Sequence, residues 1–178
     1  MSKLRPENQG MYNSQYEHDS CGIGFVANIK GKKSHDIIKR GLEVLERMEH
    51  RGAEGADNKT GDGSGIMLQL PHEFFKKQVK KLPDPGKYGS GLVFLPKEKK
   101  QYKVCIEEFE NIIEEEGLNV VGWRDIEVDS SAIGDIAKNS EPLIKQIFIS
   151  VNKKIHQDEL ELELYIVRKS IESKIRNS

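Results

Sequence analysis

Apolar and polar residues alternate in short stretches along this chain, and the alternation changes repeatedly to a helical period. Residues 21–30 alternate, which predicts a strand with one apolar face. A helical period then predicts a helix capped by Ser34 and ending near residues 50–52. Residues 64–70 predict a second strand, and Pro71 opens a short helix to about Lys81.

The second half of the chain repeats this alternation of strands and helices. Residues 91–95 form a continuous apolar run typical of a buried strand, and residues 120–126 and 144–151 predict two further strands. Two helices each have one apolar stripe. The stripes are Tyr102, Cys105, Ile106, Phe109, Ile112 and Ile113 in the first, and Leu160, Leu164, Val167, Ile171 and Ile175 in the second, which covers about residues 156–175. Taken alone, this order of elements suggests a parallel sheet.

Composition and charge exclude several classes of partner. With 28 basic and 29 acidic residues, the chain has almost no net charge to attract nucleic acid or an anionic membrane. No apolar stretch approaches the roughly 20 residues of a membrane span, and residues 1–20 lack the apolar core of a secretory signal. The two cysteines, Cys21 and Cys105, lie in different local patterns and do not suggest a disulfide framework. We therefore expect a cytoplasmic protein without nucleic-acid or membrane partners.

Cys21 stands between a polar leader and the first apolar run, where it could become the N-terminal residue of a processed protein. Residues 1–20 contain Pro6, Gly10 and many amide and hydroxyl side chains, which fits a propeptide removed on maturation. A cysteine at a chain start carries its own general base, since a free α-amino group has a pKa of about 8. The alternative is a small buried hydrophobic residue, the role that we assign to Cys105 within its helical stripe.

A glycine-rich loop follows the first helix and begins near Arg51. Its later glycines are Gly55, Gly61, Gly63 and Gly65. Their spacing does not match the dinucleotide-binding fingerprint, and the acidic residues of the loop lack the spacing and the closing glutamate of a calcium-binding hand. The five histidines show no zinc-site spacing with the cysteines, so we expect no metal site. Considered alone, Arg51 could also be a helix C-terminal residue that binds carbonyl groups.

Several short motifs occur together in this chain. They are Cys21-Gly22-Ile23-Gly24-Phe25, His50-Arg51-Gly52, Gly55-Ala56-Asp57, Thr60-Gly61-Asp62-Gly63-Ser64-Gly65-Ile66, Pro71-His72-Glu73-Phe74-Phe75, Gly122-Trp123-Arg124, Gly134, Gln146-Ile147-Phe148-Ile149 and Tyr165-Ile166-Val167-Arg168-Lys169. In this order they resemble the N-terminal part of the class II glutamine amidotransferase domain of glutamate synthase large subunits. The resemblance starts at Cys21 and covers essentially everything after it, so residues 21–178 are expected to form that part of the domain.

The resemblance implies a fold and a reaction. The fold is the α+β architecture of N-terminal nucleophile hydrolases, a four-layer αββα sandwich with antiparallel sheets, here truncated at the C-terminus. Cys21 would attack the side-chain amide of glutamine and release ammonia, leaving a γ-glutamyl thioester that water hydrolyses. Arg51 would lie beside Cys21 and help to order it, and Gly52 would let the backbone come close to the substrate.

The resemblance also implies that the ammonia reacts elsewhere in a longer protein. FMN and an iron–sulfur cluster are implied for the complete synthase, which converts 2-oxoglutarate to glutamate, and no cofactor is implied for this portion. The implied partners are glutamine, the remainder of the large subunit and an electron-donating small subunit. The family's Asn-Gly oxyanion pair and its Ser-Arg-Phe-Ser-Thr-like carboxylate clamp do not occur in this sequence. We therefore expect the isolated chain to be nearly inactive.

Two alternatives stay open on the sequence. A noncatalytic interaction module would keep the fold but leave residues 1–20 in place, so that Cys21 has no free amino group. An amidotransferase domain that delivers ammonia to a sugar or nucleotide acceptor would share the Cys-Gly-Ile start and the His-Arg-Gly motif. Processing at Cys21 tests the first alternative, and the downstream sequence tests the second.

Overall fold

The computed structural model describes residues 22–48, 52, 59–61, 63–151 and 155–176. Its helices are α1 (His35–Arg47), α2 (His72–Gln78), α3 (Lys99–Glu115), α4 (Asp135–Ser140) and α5 (Gln157–Arg176). Its strands are β1 (Tyr88–Leu95), β2 (Leu118–Asp125) and β3 (Leu143–Val151). Within the described residues, no helix is both long and apolar enough to cross a membrane.

The chain divides into two compact units. The first comprises residues 1–68 and 132–139, and the second comprises residues 69–131 and 140–178. In the first unit, α1 lies where the helical period predicts a helix. Ser34 occupies its N-cap position in an extended conformation, but its side chain caps no backbone N–H group.

Two strands predicted from the alternating pattern are wrong. As far as the structure describes them, residues 22–30 and 64–70 form no strand. A strand needs a neighbour that pairs with its backbone amides and carbonyls, and the described ladders join only β1, β2 and β3. The apolar positions of the first segment are correspondingly exposed, Ile23 at 95% and Phe25 at 93%. Alternation in a sequence reports side-chain faces and cannot report whether a pairing partner is present.

The second unit is built on an antiparallel sheet in the order β1, β3, β2. Gly91 of β1 and Trp123 of β2 both lie opposite Ile147 of the central strand. The register between β2 and β3 shifts between Val120 and Gly122, which indicates a β-bulge. The antiparallel sheet implied by the family resemblance is confirmed, and the parallel sheet suggested by element order alone is wrong.

The main core lies between one face of this sheet and helices α3 and α5. Its buried residues are Ile112, Ile113, Leu118, Ile147, Ile149, Val167 and Ile171. From the two helical stripes predicted from the sequence, Phe109, Ile112, Ile113, Leu164, Val167 and Ile171 lie in or against this core. Ile175 near the end of α5 is exposed. Because each fully buried aliphatic side chain contributes roughly 1.5–3 kcal/mol, this cluster is the main source of stability in the second unit.

A smaller core covers part of the opposite face of the sheet. Phe75 of α2 and Val79 at its C-terminal end pack with Tyr88 and Phe148. The rings of Phe75 and Phe148 meet edge to face with centroids 4.9 Å apart, and Phe148 has no exposed surface. The central strand is thus buried on both faces. The described residues form an α+β structure with an antiparallel sheet, as predicted, and the four-layer sandwich stays a prediction.

Local interactions set the ends of α3. The Glu98 carboxylate accepts hydrogen bonds from the backbone N–H groups of Lys100 and Gln101, which caps the N-terminus. Gly117 follows the other end with a φ of 78°, a conformation that favours glycine. The helix therefore starts soon after Pro96, as predicted. By contrast, the six-residue helix α4 is too short to show a helical period and was not predicted.

Candidate active site

The predicted catalytic residues fall largely outside the part of the chain that the structure describes. Cys21, the predicted nucleophile, and Arg51, its predicted neighbour, both lie outside the described residues. Gly52 is described and is exposed in a bend. Their described neighbours along the sequence are the segment that begins at Gly22 and the helix α1.

Helix α1 supports the segment that begins at Gly22. A Cβ added to Gly24 would lie 2.6 Å from Cγ1 of Val44, so any larger residue here would force the Val44 side chain or the backbone to shift. A second close approach occurs at Gly41, where an added Cβ would lie 2.9 Å from Cδ1 of Ile66. Two segments that carry motif glycines therefore lie against α1, the helix that precedes Arg51 in the sequence.

A turn connects the first of these segments with α1. The Asn28 side-chain oxygen accepts hydrogen bonds from the backbone N–H groups of Lys30 at 2.9 Å and Lys32 at 3.3 Å. The backbone N–H of Gly31 donates to the carbonyl of Asn28 at 2.8 Å, and Gly31 has a φ of 65°. Because Asn28 satisfies these turn amides, the chain reverses here and brings Gly24 back along the helix.

Ion pairs within α1 lie on its exposed side. Asp36 and Arg40 are 2.7 Å apart, and Glu43 and Arg47 are 2.5 Å apart, each pair one helical turn apart. The hydrogen bond that Arg40 donates to Asp36 raises the pKa of Arg40. Because both pairs are exposed to solvent, which screens their attraction, they stabilise the helix only slightly and do not shape the site.

A row of polar side chains crosses all three strands of the second unit, on the face opposite α3 and α5. An Nη1 N–H of Arg124 donates to Oε1 of Gln146 at 2.7 Å, and Nε2 of Gln146 donates to Oγ of Ser90 at 3.0 Å. The guanidinium of Arg124 also lies 5.1 Å from the ring centroid of Phe74. We call Arg124, Gln146 and Ser90 the polar row. Sequence reasoning did not find it, because its members are 22 and 56 residues apart and only the strand register joins them.

A second polar contact lies at the start of α2. Nδ1 of His72 and the hydroxyl of Tyr88 are 3.2 Å apart, with ring centroids 5.9 Å apart. Burial raises the pKa of Tyr88, so its hydroxyl stays protonated and can donate to the imidazole. This contact ties the first turn of α2 to the sheet.

In the described part of the chain, no three side chains of His, Cys, Asp or Glu gather closely enough to hold a metal ion. Cys105, the cysteine within that part, is half-buried on α3 with a free thiol. It lies on the predicted stripe of α3, but it is half-buried and not part of the described core, whereas the sequence predicts a buried residue.

Comparisons with known proteins identify a family for nearly the whole chain. Residues 21–178 match the family model for class II glutamine amidotransferases. The chain is 40% identical over 171 residues to the glutamate synthase [NADPH] large chain of Bacillus subtilis, which covers 94% of this chain and 11% of that protein. It is 40% identical over 175 residues to the ferredoxin-dependent glutamate synthase 1 of Arabidopsis thaliana, covering 96% of this chain and 11% of the relative. It is 39% identical over 178 residues to glutamate synthase [NADH] of Saccharomyces cerevisiae, and this match covers 92% of this chain and 8% of that protein. The chain thus spans about a tenth of the length of these relatives.

Proposed function

Because the chain belongs to the class II glutamine amidotransferases, we propose that it provides the glutaminase step of a glutamate synthase large subunit. The observation that carries this proposal is the identity of about 40% to proteins named glutamate synthase in a bacterium, a plant and a yeast. Their names give three electron donors, NADPH, ferredoxin and NADH, although each is 39–40% identical to this chain. We therefore assign the choice of electron donor to another part of the longer protein.

In this proposal Cys21 is the nucleophile and its α-amino group is the general base. Removal of residues 1–20 would free that amino group, whose pKa of about 8 suits it to accept the thiol proton. The thiolate attacks the side-chain amide carbon of glutamine, the leaving nitrogen takes up a proton, and ammonia departs from a γ-glutamyl thioester. Water then cleaves the thioester, which releases glutamate and restores the thiol. The family match begins at Cys21, which supports a domain of residues 21–178 after the propeptide.

We assign supporting roles to Arg51 and Gly52. Gly24, three residues after Cys21, packs on Val44, seven residues before Arg51. The contact between these two sequence neighbours supports the assignment of Arg51 as the residue that orders Cys21. Gly52 has no side chain, so it would let the backbone come close to bound glutamine.

The four-layer sandwich is also part of the proposal. On the sheet face opposite α3 and α5, helix α2 packs on Phe148 and places Phe74 against Arg124. The remaining strand side chains of this face, which we call the open face, are Ser90, Leu92, Phe94, Arg124, Ile144 and Gln146, of which Gln146 is buried. Leu92 is 56% exposed and Phe94 is 64% exposed. Adjacent large apolar side chains at such exposure typically mark a contact surface, which supports a further layer over this face.

The implied cofactors and partners belong to the rest of the longer protein. Iron–sulfur clusters are held by cysteine thiolates, commonly four, and this chain has two cysteines. We therefore assign the iron–sulfur cluster and FMN to the remainder of the large subunit, where ammonia would be used. Glutamine is the small molecule that this portion binds, the electron-donating small subunit is a partner of the whole protein, and we propose a cytoplasmic location.

The proposal is tested by intact mass and N-terminal sequencing of the protein purified from its natural host, before and after treatment with a glutamine-analogue electrophile. We expect a chain start at Cys21 and one adduct on that residue. Cys21→Ala should lose both the adduct and the glutaminase activity while it keeps its melting temperature. Cys105→Ala is the matched control, because it removes a half-buried thiol on α3 and should keep the adduct and the activity.

The outcomes separate the proposal from its alternatives. Glutaminase activity in Cys21→Ala would refute the assignment of the nucleophile. An unprocessed start without an adduct would favour the noncatalytic interaction module. A processed and labelled protein whose ammonia is used on a sugar or nucleotide would keep the glutaminase step and refute the synthase assignment.

A further inference from the structure

Helix α1 meets the segment that begins at Gly22 and the segment that contains Ile66, and each contact has a glycine on one side. Gly24 meets Cγ1 of Val44, and Gly41 meets Cδ1 of Ile66. Val44 is β-branched and lies inside a helix, where such a side chain keeps one strongly preferred χ1 rotamer. The Cδ1 atom of Ile66 is the far end of a longer side chain and can rotate away. The contact at Gly24 is therefore the stiffer of the two.

Residues 22–30, which we call the Gly24 segment, are the side of this contact that yields. All of them except Val26 are exposed, and as far as the structure describes them they pair with no strand. Helix α1 is 13 residues long and is held by its own backbone hydrogen bonds. A larger residue at position 24 would therefore push the Gly24 segment outward, because the helix and the Val44 rotamer resist the change.

The size of this displacement follows from the contact distance. A carbon built at Gly24 would lie 2.6 Å from Cγ1 of Val44, whereas non-bonded carbons are at their optimal separation at about 3.5–4.0 Å. Relief of the contact thus moves the Gly24 segment by about 1 Å. A misplacement of about 1 Å in an active site can lower the reaction rate about 10²-fold, because the attacking atom loses its distance and its alignment.

We propose that Val44 is a positioning residue for the glutaminase reaction and that it acts on Cys21 through Gly24. The inference rests on the proposed function, because it takes Cys21 as the nucleophile. Cys21 comes three residues before Gly24 in the sequence, so a shift of the Gly24 segment is passed along the chain to the thiol. The Cγ1 methyl group of Val44 fixes how closely the segment approaches α1. Val44 touches neither the substrate nor the thiol in this proposal.

The test measures how fast Cys21 is alkylated by a glutamine analogue in which a chloromethyl ketone replaces the side-chain amide. The protein is expressed in its natural host and used in its full length. The Cys21 sulfur bonds to the chloromethyl carbon, chloride leaves, and the thiol proton passes to the α-amino group. Intact mass gives the labelled fraction, and the dependence on reagent concentration gives the rate constant at saturation and the half-saturating concentration. We expect Gly24→Ala to lower the rate constant about 10²-fold and to change the half-saturating concentration less than about threefold.

A double variant separates positioning from a loss of folding. The Cβ of Val44 would lie 3.9 Å from a carbon built at Gly24, an ordinary contact distance. Gly24→Ala combined with Val44→Ala therefore fits without movement, and it should recover at least about tenfold of the lost rate. A variant that only unfolds would reduce the labelled fraction at an unchanged rate constant. A positioning defect gives complete labelling at a lower rate constant.

Two single variants complete the set. Gly41→Ala is the matched control, because it adds the same methyl group against α1's other contact, where Ile66 can rotate away. We expect it to keep the parent rate constant within about threefold. Val44→Ala only shortens a half-buried side chain, so it tests the Gly24 contact without a clash. Its rate constant should fall, but less than that of Gly24→Ala, because the Gly24 segment loses its fixed distance from the helix.

The outcomes distinguish this inference from the proposed function. A parent protein labelled at Cys21, with an unchanged rate constant in Gly24→Ala or in Val44→Ala, would overturn the positioning role and leave the glutaminase step intact. An equal loss of rate in Gly41→Ala, or no recovery in the folded double variant, would also overturn it. A parent protein without an adduct on Cys21 would refute the proposed function and this inference with it.

Discussion

A methyl group added at Gly89 has no room beside α5, which makes Gly89→Ala a direct test of how this helix packs on the sheet. An ideal Cβ at Gly89 would lie 2.3 Å from Cδ1, 3.0 Å from Cδ2 and 3.2 Å from Cγ of Leu164. Two residues further along the same face of β1, a Cβ added at Gly91 would meet no atom within 4 Å. The two substitutions therefore add the same group to the same strand face, one into contact and one into open space.

The comparison of the two variants isolates the steric cost. Replacing glycine by alanine within a strand stabilises the folded protein by about 0.5–1 kcal/mol, because it lowers the conformational entropy of the unfolded backbone. This contribution applies to both positions. Overpacking a core costs about 1–3 kcal/mol. Because the branch carbon of Leu164 and both of its methyl groups are too close to the added atom, rotation of one methyl group does not relieve the contact. We expect Gly89→Ala to be less stable than Gly91→Ala by about 1–3 kcal/mol.

Urea unfolding followed by tryptophan fluorescence measures this difference. Trp123 is the only tryptophan of the chain, and its indole N–H donates to Glu110 at 2.8 Å within the same unit, so its emission reports loss of the main core. In a Leu164→Ala background the two glycine variants should differ by less than about 0.5 kcal/mol, because the contact has been removed. Equal stability of Gly89→Ala and Gly91→Ala in the parent protein would refute the close packing of α5 on β1.

Two further predictions concern the second unit. Phe148→Ala removes a ring with no exposed surface and should cost about 3–5 kcal/mol in the same urea assay; a loss below about 1 kcal/mol would contradict the smaller core. The hydrogen bond from Lys145 to Asp125 raises the pKa of Lys145, so the pair's stabilisation is complete below the ordinary lysine pKa of 10.5 and is lost as pH rises through the raised pKa. Asp125→Asn should remove this alkaline dependence in unfolding curves recorded between about pH 9 and 12, and an unchanged pH profile would show that the pair does not produce it.

The sequence predicts the helices and strands of the second unit well where a period persists over many residues. The stripes of α3 and α5 repeat over three or more turns, which leaves little ambiguity about the face that each helix buries. The continuous apolar run in β1 was predicted to be buried, yet Leu92 and Phe94 are exposed. Their burial depends on what lies over the open face, and no local pattern contains that information.

The candidate site also has a part that a local sequence pattern predicts and a part that it does not. Cys21, Arg51 and Gly52 can be proposed from sequence because each lies in a short contiguous motif. The polar row has no such motif, since strand pairing and the position of α2 bring its members together. Residues 22–30 show that a clear local pattern is not sufficient either. Their alternation predicts a strand, but among the described residues no strand pairs with them.

The burial of β3 on both of its faces links the observed fold to the proposed sandwich. The sequence indicates one buried side of this strand, that of Ile147 and Ile149, whereas the structure also buries Gln146 and Phe148 on the other side. A strand buried on both faces belongs to an internal layer, which agrees with the proposed sandwich. Within that layer Phe148 is covered by an aromatic ring, whereas Gln146 uses its amide to hold a cation at the edge of the uncovered area.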